Sequence, residues 1–309
     1  MEGYDVVIIG AGSAGYTAGI YATRYGLRTL IIGAEPGGQV NEAYEIDNYP
    51  GFLSVNGAEL MKKFREHTEK LGAKLLISEV KDVRKEGEKF LVKAGGEEYA
   101  AKSVILATGS KKRKLGLPGE DELRGRGISY CATCDAPFFR DKTVGVIGGG
   151  NSAVKAAILL AEHAKKVYLV YRRKKENMKA MPFWIRKAEE NEKVEMIFEA
   201  RPKEIRGKEK LEAVVFDQKG KDIEIKMDGL FIEIGTEPEN ALAKKLGVSL
   251  DERGKIEVKN DMSTNIEGVF AAGDVTNASN DFEQIVTACA EGAIAAKSVY
   301  EYVKGKSKL

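Results

Sequence analysis

The 309-residue sequence has few of the side chains that supply most catalytic chemistry, with two histidines, three cysteines and one tryptophan. Unpaired histidines and the lack of a serine elbow give no support to hydrolytic catalysis. Three cysteines cannot form a framework of several disulfides. The chemistry therefore has to come from a small number of positions.

Long apolar runs and an excess of one charge are also missing. No apolar stretch approaches the ~18 residues that a membrane-spanning helix requires. The apolar start at Val6–Ile9 lacks the basic region of a signal peptide. Lys and Arg total 49 against 47 Asp and Glu, so no overall field attracts nucleic acid or an anionic membrane. We therefore predict a cytoplasmic protein without nucleic-acid or membrane partners.

Glycine, by contrast, is plentiful at 34 residues, which indicates tight turns or close approaches of the backbone to a ligand. The first glycine motif, "GAGSAG" at 10–15, follows a predicted strand at Val6–Ile9 and opens a predicted helix at Ser13–Tyr25. A second strand at Thr29–Ile32 completes a βαβ unit. In this context the glycines let a pyrophosphate approach the helix N-terminus, the alternative being a turn that binds nothing.

A second copy of this pattern occurs in the middle of the chain. A predicted strand at Val144–Ile147 leads into "GGGNSA" at 148–153, a helix over 152–163 and a strand at Val167–Tyr171. One chain therefore carries two predicted dinucleotide sites.

The two copies differ after their second strands. In the first, Gly33 stands where a ribose-binding acid is usual, and Glu35 follows. In the second, Arg172 and Arg173 follow Tyr171, which suits a 2′-phosphate and therefore NADPH. The alternative is a solvated basic surface.

Two further segments have the pattern of strands that end in small-residue turns, "VILATGS" at 104–110 and "GVFAAGDVTN" at 268–277. In the second, Gly273 allows close approach and Asp274 offers a carboxylate to a ribityl hydroxyl. An ordinary turn or N-cap aspartate is the alternative.

Two of the three cysteines lie in "CATCD" at 131–135, which leaves three possibilities: a redox pair, half of a metal site, or a pair without chemistry. A zinc site needs four ligands, and the chain has no second C-x-x-C. We therefore predict no metal site.

Together, the motifs resemble the low-molecular-weight thioredoxin reductases, and they follow that family's order and approximate spacing. The segments that carry the resemblance are "GAGSAG", "GGQ" at 37–39, "DNYPGF" at 47–52, "ATG" at 107–109, "CATCD", "GGGNSA", "RR" at 172–173 and "AAGD" at 271–274.

The resemblance implies an α/β fold with two Rossmann-like three-layer dinucleotide-binding domains, the NADPH domain being inserted into a discontinuous FAD domain. The expected FAD domain comprises 1–114 and 243–309, and the expected NADPH domain, 115–242, carries the CxxC pair. For FAD, the expected contacts are Gly10, Gly12, Ser13, Ala14, Gly15, Glu35, Gly38, Gln39, Asn48, Ala107, Thr108, Gly109, Gly273, Asp274, Gln284 and Ile285. For NADPH, they are Gly148, Gly150, Asn151, Ser152, Arg172 and Arg173.

The resemblance also implies the reaction. Electrons pass from NADPH through FAD and the Cys131/Cys134 disulfide to thioredoxin or a glutaredoxin-like protein. Asp135, next to Cys134, is predicted to carry a proton, the alternative being a cap of the following turn. Cys134 is expected beside the flavin and Cys131 to attack the partner disulfide. A homodimer is expected.

Two other functions remain possible. A reductase of a peroxiredoxin system would normally carry an additional N-terminal module, whereas the first strand is predicted five residues after Met1. A non-catalytic flavoprotein that acts as a redox sensor has the same motifs, and turnover of NADPH with a disulfide acceptor separates it from an enzyme.

The chain departs from the family in the motif H-R-R-x-x-x-R, where Tyr171 replaces the His and Asn177 the last Arg. Three nearby lysines offer point charges without a bidentate fork: Lys174, Lys175 and Lys179. These departures leave the preference for NADPH over NADH open. Glu283 stands where many members carry a basic residue.

Overall fold

The computed structural model describes residues 3–43 and 46–306. The chain forms two compact units, unit 1 from Met1–Lys111 with Pro238–Leu309 and unit 2 from Lys112–Glu237. These boundaries lie a few residues before those implied at 114 and 242, because the chain crosses between units in two short paired strands, Ser110–Lys112 and Thr236–Pro238. No helix of the described ranges is both long and apolar enough to cross a membrane.

The first segment of unit 1 supplies most of its sheet. Its elements are β1 Gly3–Ile9, α1 Ser13–Arg24, β2 Thr29–Ile32, α2 Gly57–Lys70, β3 Lys74–Leu76, β4 Val80–Glu86, β5 Lys89–Ala94, β6 Glu97–Leu106 and β7 Ser110–Lys112. Helix α1 ends where predicted, because Gly26 adopts a positive φ of 77° that closes the helix. The side chain of Asn56 caps α2 by accepting from the N–H of Ala58 at 3.0 Å.

Unit 2 contains the middle of the chain. Its elements are β8 Ile128–Ser129, α3 Ala132–Asp135, β9 Thr143–Ile147, α4 Asn151–His163, β10 Lys166–Tyr171, α5 Pro182–Glu189, β11 Val194–Phe198, β12 Ala200–Arg206, β13 Ala213–Gln218, β14 Lys221–Lys226, β15 Gly229–Ile232 and β16 Thr236–Pro238. The last segment returns to unit 1 and adds α6 Ala241–Leu246, β17 Val269–Ala271 and α7 Ile285–Lys306.

The sheet of unit 1 has the strand order β3-β2-β1-β6-β5-β4, and β17 also pairs with β6. Strands β1, β2, β3, β6 and β17 run parallel to their neighbours in this group, whereas β4 and β5 form an antiparallel ribbon on β6. Side chains of β1 alternate between two cores: Val6 and Ile8 pack towards α1 and α7, and Val7 and Ile9 towards β5 and α6. The glycine-rich loop after β1 therefore starts from a strand that is buried on both faces.

The main sheet of unit 2 is parallel, with the order β11-β10-β9-β15-β8. One face packs against α4 and α5 through Val144, Val146 and Leu169. The other packs against the antiparallel sheet β12-β13-β14, which contributes Val214 and Phe216. Unit 2 thus has three layers, and its second glycine-rich loop leaves the central strand β9.

Candidate functional site

The first glycine-rich loop joins β1 to α1 and has no room for larger residues at its ends. Gly10 has a φ of +118°, and a Cβ atom there would lie 2.0 Å from the carbonyl oxygen of Ala107. A Cβ atom on Gly15 would lie 1.9 Å from the carbonyl oxygen of Gly10. Between them, Ser13 and Ala14 are buried. The fold of unit 1 itself therefore requires Gly10 and Gly15.

Gly12 is different, because a Cβ atom there would meet no protein atom within 4 Å. It is the N-cap of α1, and no side chain caps the helix. A neighbouring loop faces it: a Cβ atom on Gly38 would lie 3.6 Å from the Cα of Gly12. The backbone N–H groups at this helix start are open to a phosphate. Glu35 is exposed, and its carbonyl accepts from Gly38 at 2.9 Å.

The "GGQ" and "ATG" segments meet through side chains of unit 1. The Nε2 of Gln39 donates to Ser110 at its carbonyl oxygen, 2.5 Å away, and at its hydroxyl, 2.8 Å away. The hydroxyl of Thr108 donates to the carbonyl of Glu239 at 2.7 Å. Gly109 adopts a φ of +66°, which turns the chain between them.

Two predicted flavin contacts that lie far apart in sequence are joined directly. The Nδ2 of Asn48 donates to the Oε1 of Gln284 at 2.9 Å, across 236 residues. The N–H of Gln284 donates to the hydroxyl of Thr287 at 3.1 Å, just before α7 starts at Ile285. The structure therefore brings these residues to one place in unit 1.

A buried carboxylate fixes the turn after β17. Glu291 accepts from the N–H of Gly273 at 2.8 Å, from the hydroxyl of Thr276 at 3.0 Å and from that of Ser279 at 2.6 Å. Gly273 has a φ of +85°, and a Cβ atom there would lie 3.0 Å from the Cβ of Ala14. This turn therefore lies against the helix that starts at the first glycine-rich loop.

Asp274 follows this turn and is half-buried. Burial raises the pKa of its carboxyl to about 6, and the Glu283 and Glu291 carboxylates raise it as well, whereas Lys255 lowers it. Lys255 forms an ion pair with Glu283, with 2.6 Å between Nζ and Oε1. A hydrogen bond from its own backbone N–H lowers this pKa, but burial outweighs it, and a carboxyl with a raised pKa in a cleft is a candidate for contact with a ligand.

The second glycine-rich loop, in unit 2, repeats the geometry of the first. Gly148 has a φ of +152°, and a Cβ atom there would lie 2.2 Å from the carbonyl oxygen of Glu233. Gly150 is the N-cap of α4 without a side-chain cap, and a Cβ atom there would meet nothing within 4 Å. Asn151 and Ser152 are exposed at the helix start. This loop therefore offers the same kind of open phosphate site.

The basic segment after β10 folds back to this loop. The N–H of Lys179 donates to the carbonyl of Gly149 at 2.8 Å, and the N–H of Met181 donates to the Oδ1 of Asn151 at 2.8 Å. Arg172 and Arg173 are exposed at the end of β10. Unit 2 thus has two exposed arginines directly after β10, in a segment whose later residues return to the second glycine-rich loop.

The three lysines of this segment differ in their surroundings. Lys175 is paired with Glu189. Lys174 lies near Glu199 and lowers the pKa of that carboxyl, after the larger effect of Lys219. Lys179 is exposed and has its backbone on the glycine-rich loop. Of the three, Lys179 is the lysine whose backbone contacts the second glycine-rich loop.

Cys131 and Cys134 form a disulfide at the start of α3, with 5.3 Å between their Cα atoms. The N–H of Cys134 donates to the Sγ of Cys131 at 3.2 Å, and the N–H of Cys131 donates to the buried Ser129 hydroxyl at 3.0 Å. Cys134 is exposed and Cys131 half-buried. Asp135, also half-buried, donates its N–H to the carbonyl of Cys131 at 3.2 Å. The pair is thus held in a small ring that solvent can reach.

The third cysteine, Cys289, is a free thiol on α7. Burial raises its pKa, opposed by hydrogen bonds to Thr17 and Tyr49. In return, burial and the neighbouring sulfur raise the pKa of Tyr49 to about 12. A raised pKa lowers the thiolate fraction and so makes this thiol a weaker nucleophile, which agrees with a packing role on α7.

Sequence reasoning missed three charged residues around these sites. Lys255 and Glu291 organise the Asp274 turn, as described above. In unit 2, the buried Glu120 accepts from the N–H of Leu115 at 2.9 Å and from the Tyr130 hydroxyl next to Cys131. For Glu291 the sequence does contain a signal, since this carboxylate lies among small and apolar residues in "IVTACAEGAIAA". Lys255 and Glu120 have no such signal.

Comparison with known proteins agrees with this geometry. The family described as "Pyridine nucleotide-disulphide oxidoreductase" matches residues 4–292. The thioredoxin reductase of Bacillus subtilis (strain 168) is 45% identical over 305 residues, covering 97% of this chain and 95% of the relative. The crystal structure of Lactococcus lactis thioredoxin reductase superposes with a TM-score of 0.91 at 40% identity, covering 98% of this chain and 99% of the other. That of T. acidophilum gives 0.88 at 38% identity, covering 97% and 99%.

The predicted fold class, with two Rossmann-like domains of which one is inserted into the other, is therefore confirmed. The resemblance drawn from the eight sequence motifs is confirmed as well, since the family matches residues 4–292 and a thioredoxin reductase covers 97% of the chain. The chain belongs to the pyridine nucleotide-disulphide oxidoreductases and, among them, to the thioredoxin reductase family.

Proposed function

We propose that the chain is a thioredoxin-disulfide reductase, a flavoprotein that uses NADPH to reduce the disulfide of thioredoxin or of a glutaredoxin-like protein. The observation that carries the proposal is the Cys131–Cys134 disulfide, which lies in the same unit as an open dinucleotide loop flanked by two arginines. Its curated relatives over 97% of the chain are thioredoxin reductases.

FAD fits the residues of unit 1. Gly12 leaves the space that a pyrophosphate needs, the α1 N-terminus is uncapped, and Asp274 offers a carboxylate with a raised pKa. We propose that FAD is held by Gly10, Gly12, Ser13, Ala14, Gly15, Glu35, Gly38, Gln39, Asn48, Ala107, Thr108, Gly109, Gly273, Asp274, Gln284 and Ile285. When bound, FAD supplies a two-electron carrier between nicotinamide and disulfide.

NADPH fits the residues of unit 2 for the same reasons. Gly150 leaves room for the pyrophosphate at the start of α4, and the exposed arginines suit the 2′-phosphate as bidentate donors. The proposed contacts are Gly148, Gly150, Asn151, Ser152, Arg172 and Arg173.

The two cysteines carry out the exchange with the protein substrate. Two electrons and two protons open the Cys131–Cys134 bond to a dithiol. The Cys131 thiolate then attacks the partner disulfide, forming one mixed S–S bond while the other partner sulfur leaves as a thiolate. Cys134 attacks Cys131 in that mixed disulfide, which releases the reduced partner and restores the original bond. We propose that Asp135, which follows Cys134 in the chain, carries a proton between these steps.

The N–H of Cys134 supports the choice of Cys131 as the attacking sulfur. It points at the Sγ of Cys131 from 3.2 Å, so it stabilises negative charge there once the disulfide is open. We further propose a homodimer that works in the cytoplasm, which light scattering on the purified protein and cell fractionation would test.

The experiment that tests the function compares anaerobic reduction of the bound flavin by NADPH and by NADH, followed by addition of oxidised thioredoxin. The proposal requires faster flavin reduction by NADPH and stoichiometric formation of reduced thioredoxin. A colourless protein that cannot be reconstituted with FAD, or flavin reduction without any transfer to a disulfide, would refute it.

A further inference from the structure

Lys255 is a buried ammonium group in unit 1, where a lysine is rare unless it is paired. Its side chain is 8% exposed, and its Nζ lies 2.6 Å from the Oε1 of Glu283. The backbone is fixed too, since the N–H of Lys255 donates to the Oδ1 of Asp251 at 2.9 Å. The next residue, Ile256, donates to the carbonyl of Val275 at 2.8 Å. The lysine is therefore held beside the segment that carries Asp274.

Lys255 lines a small cleft together with three carboxylate residues, Asp274, Glu283 and Glu291. It is the one basic residue among those that line the cleft in the described part of the chain. Glu291 already accepts three hydrogen bonds from its surroundings. Of the other two carboxyl groups, Glu283 pairs directly with the Lys255 ammonium group, and that group also lowers the pKa of Asp274 electrostatically.

Glu283 is also joined by the backbone to the next proposed flavin contact. Gln284 follows it directly and accepts from the Nδ2 of Asn48 at 2.9 Å. The ion pair to Lys255 therefore fixes the segment from which the Gln284 side chain reaches Asn48. Neither Lys255 nor Glu283 belongs to the set of contacts that the sequence predicted.

We propose that Lys255 is a positioning residue for flavin binding: through its pair with Glu283 it balances the carboxylates of the Asp274 cleft and holds Gln284 beside Asn48. This inference rests on the proposed flavoprotein function and assigns a role to a residue outside the motifs. Its electrostatic part is supported by Asp274, whose pKa is lowered by Lys255 and raised by Glu283 and Glu291 after the larger effect of burial.

The test measures FAD release from the full-length holoprotein, by fluorescence of the released flavin after serial dilution between pH 5 and 8. Wild type is compared with Lys255→Met, Glu283→Gln and the double variant. Lys255→Met is expected to weaken FAD binding at least fivefold at pH 7. It should also raise the pH below which FAD affinity decreases. Glu283→Gln is expected to move that pH downwards, because it removes a negative neighbour of Asp274. The double variant is expected to lie between the two single variants, since it removes one charge of each sign.

Two further variants serve as controls. Lys255→Arg keeps the charge and is expected to keep the wild-type pH profile. Lys297→Met removes a lysine from a comparable pair on α7, Lys297 to Glu301 at 2.6 Å, but that pair is largely exposed, so FAD affinity is expected to stay unchanged.

An unchanged profile for Lys255→Met, or midpoints that move the same way in both single variants, would overturn the proposal and leave the pair a purely structural one. If Lys255→Met does not fold in a thermal unfolding assay, the downward shift of Glu283→Gln still decides the electrostatic part. Failure of the proposed function gives a different result: wild type itself would then hold no FAD or transfer no electrons to a disulfide.

Discussion

The hydroxyl of Tyr171 donates a hydrogen bond to the backbone carbonyl of Asn177 at 2.7 Å. These are the two positions at which the basic motif departs from the family pattern. The Tyr171 ring also packs on the glycine-rich loop, since a Cβ atom on Gly149 would lie 2.2 Å from a ring carbon. Tyr171 thus connects the segment that ends at Asn177 to the glycine-rich loop. The two residues that depart from the family motif therefore form one contact with each other.

Removing that hydroxyl tests the link. Tyr171→Phe loses a neutral hydrogen bond, which contributes about 0.5–1.5 kcal/mol, so NADPH should bind roughly two- to tenfold more weakly. NADH should be less affected, because the segment carries the groups proposed for the 2′-phosphate. Isothermal titration with each coenzyme measures both values. Tyr168→Phe, on the same strand and with its side chain in the other core, is the matched control and should change neither.

The arginine pair should control coenzyme choice. Changing Arg172 and Arg173 to Ala removes charge-assisted contacts of about 1.5–3 kcal/mol each, so the KM for NADPH should rise tenfold or more while that for NADH barely changes. Steady-state kinetics with both coenzymes gives the ratio. Arg201→Ala, an exposed arginine of the same unit, should have no effect. Equal losses for both coenzymes would assign the pair a structural role.

Lys179 should add to the preference for NADPH over NADH, whereas Lys175 should not. Lys175 is already paired with Glu189, while the backbone of Lys179 lies on the glycine-rich loop. Lys179→Ala is therefore expected to raise the KM for NADPH several-fold, against little change for Lys175→Ala, in the same kinetic assay. A larger effect of Lys175→Ala would contradict this assignment.

Substitutions at two glycines should weaken the binding of one cofactor each. Gly12→Ala and Gly150→Ala each place a methyl group where the protein has no atom within 4 Å, so both variants should fold. Gly12→Ala should lose most of its FAD, whereas Gly150→Ala should stay yellow but bind NADPH at least tenfold more weakly, because the methyl group occupies the path of a pyrophosphate. Absorbance at the flavin band and NADPH titration measure these losses.

Gly10→Ala is the contrasting variant. It forces a φ of +118° on alanine and a contact of 2.0 Å with the backbone of Ala107, so thermal unfolding should show a marked loss of stability even without cofactor. If Gly12→Ala unfolds as readily as Gly10→Ala, the open space at Gly12 is not a ligand site.

Much of this arrangement could be predicted from the sequence, because its signals are local. A strand, a glycine turn and a helix follow one another within one short stretch of each unit, 3–24 in unit 1 and 143–163 in unit 2. Backbone sterics at Gly10 and Gly148 leave little choice of residue there. The cysteine pair is equally local, since only two residues separate the thiols. The resemblance to the family then predicted that one unit is inserted into the other.

What could not be predicted depends on contacts between distant residues. Lys255 and Glu283 are 28 residues apart, and the sequence around neither residue predicts a buried ion pair. In the sequence, Tyr171 is only a replacement for the histidine of the family motif. Its hydrogen bond to Asn177 depends on how the turn after β10 folds. A local pattern cannot reveal which distant side chains the folded backbone brings together.

Asp274 should make FAD binding depend on pH. Burial raises its pKa from the model-compound value of 3.8 to about 6 in the protein without flavin. If the ionised form accepts the ribityl hydroxyl, FAD affinity is nearly complete about one pH unit above this pKa, is halved at the pKa, and approaches a tenfold fall per pH unit well below it. For stability without flavin the sign is the opposite: protonation favours the folded state, so this contribution is present below pH 3.8 and is lost as the pH rises through about 6.

Asp274→Asn removes both effects. Its FAD affinity should be lower at pH 7 and nearly constant between pH 5 and 7, as measured by release of flavin fluorescence. Asp261→Asn, a surface carboxylate of the same unit whose pKa is lowered by its bond to the Ser263 hydroxyl, is the control that should keep the wild-type slope.

The last prediction separates the roles of the two cysteines. Cys131→Ser removes the proposed attacking sulfur, so turnover with thioredoxin should fall below detection and no mixed disulfide should form. Cys134→Ser should also lose turnover, but its remaining Cys131 should trap the partner as a stable mixed disulfide, because no second thiol is left to resolve it. Non-reducing electrophoresis with oxidised thioredoxin detects the trapped species.

Both variants should still let NADPH reduce the flavin, since neither sulfur takes part in that half-reaction, and stopped-flow absorbance gives its rate. Cys289→Ser is the matched control: this free thiol lies outside the CxxC pair and its pKa is raised by burial, so the variant should keep full activity. Trapping by Cys131→Ser instead of Cys134→Ser would exchange the two roles, with Cys134, the more exposed of the pair, as the attacking sulfur. Full disulfide reductase activity in either single variant would remove the pair from the reaction, since one remaining thiol can form a mixed disulfide but cannot resolve it.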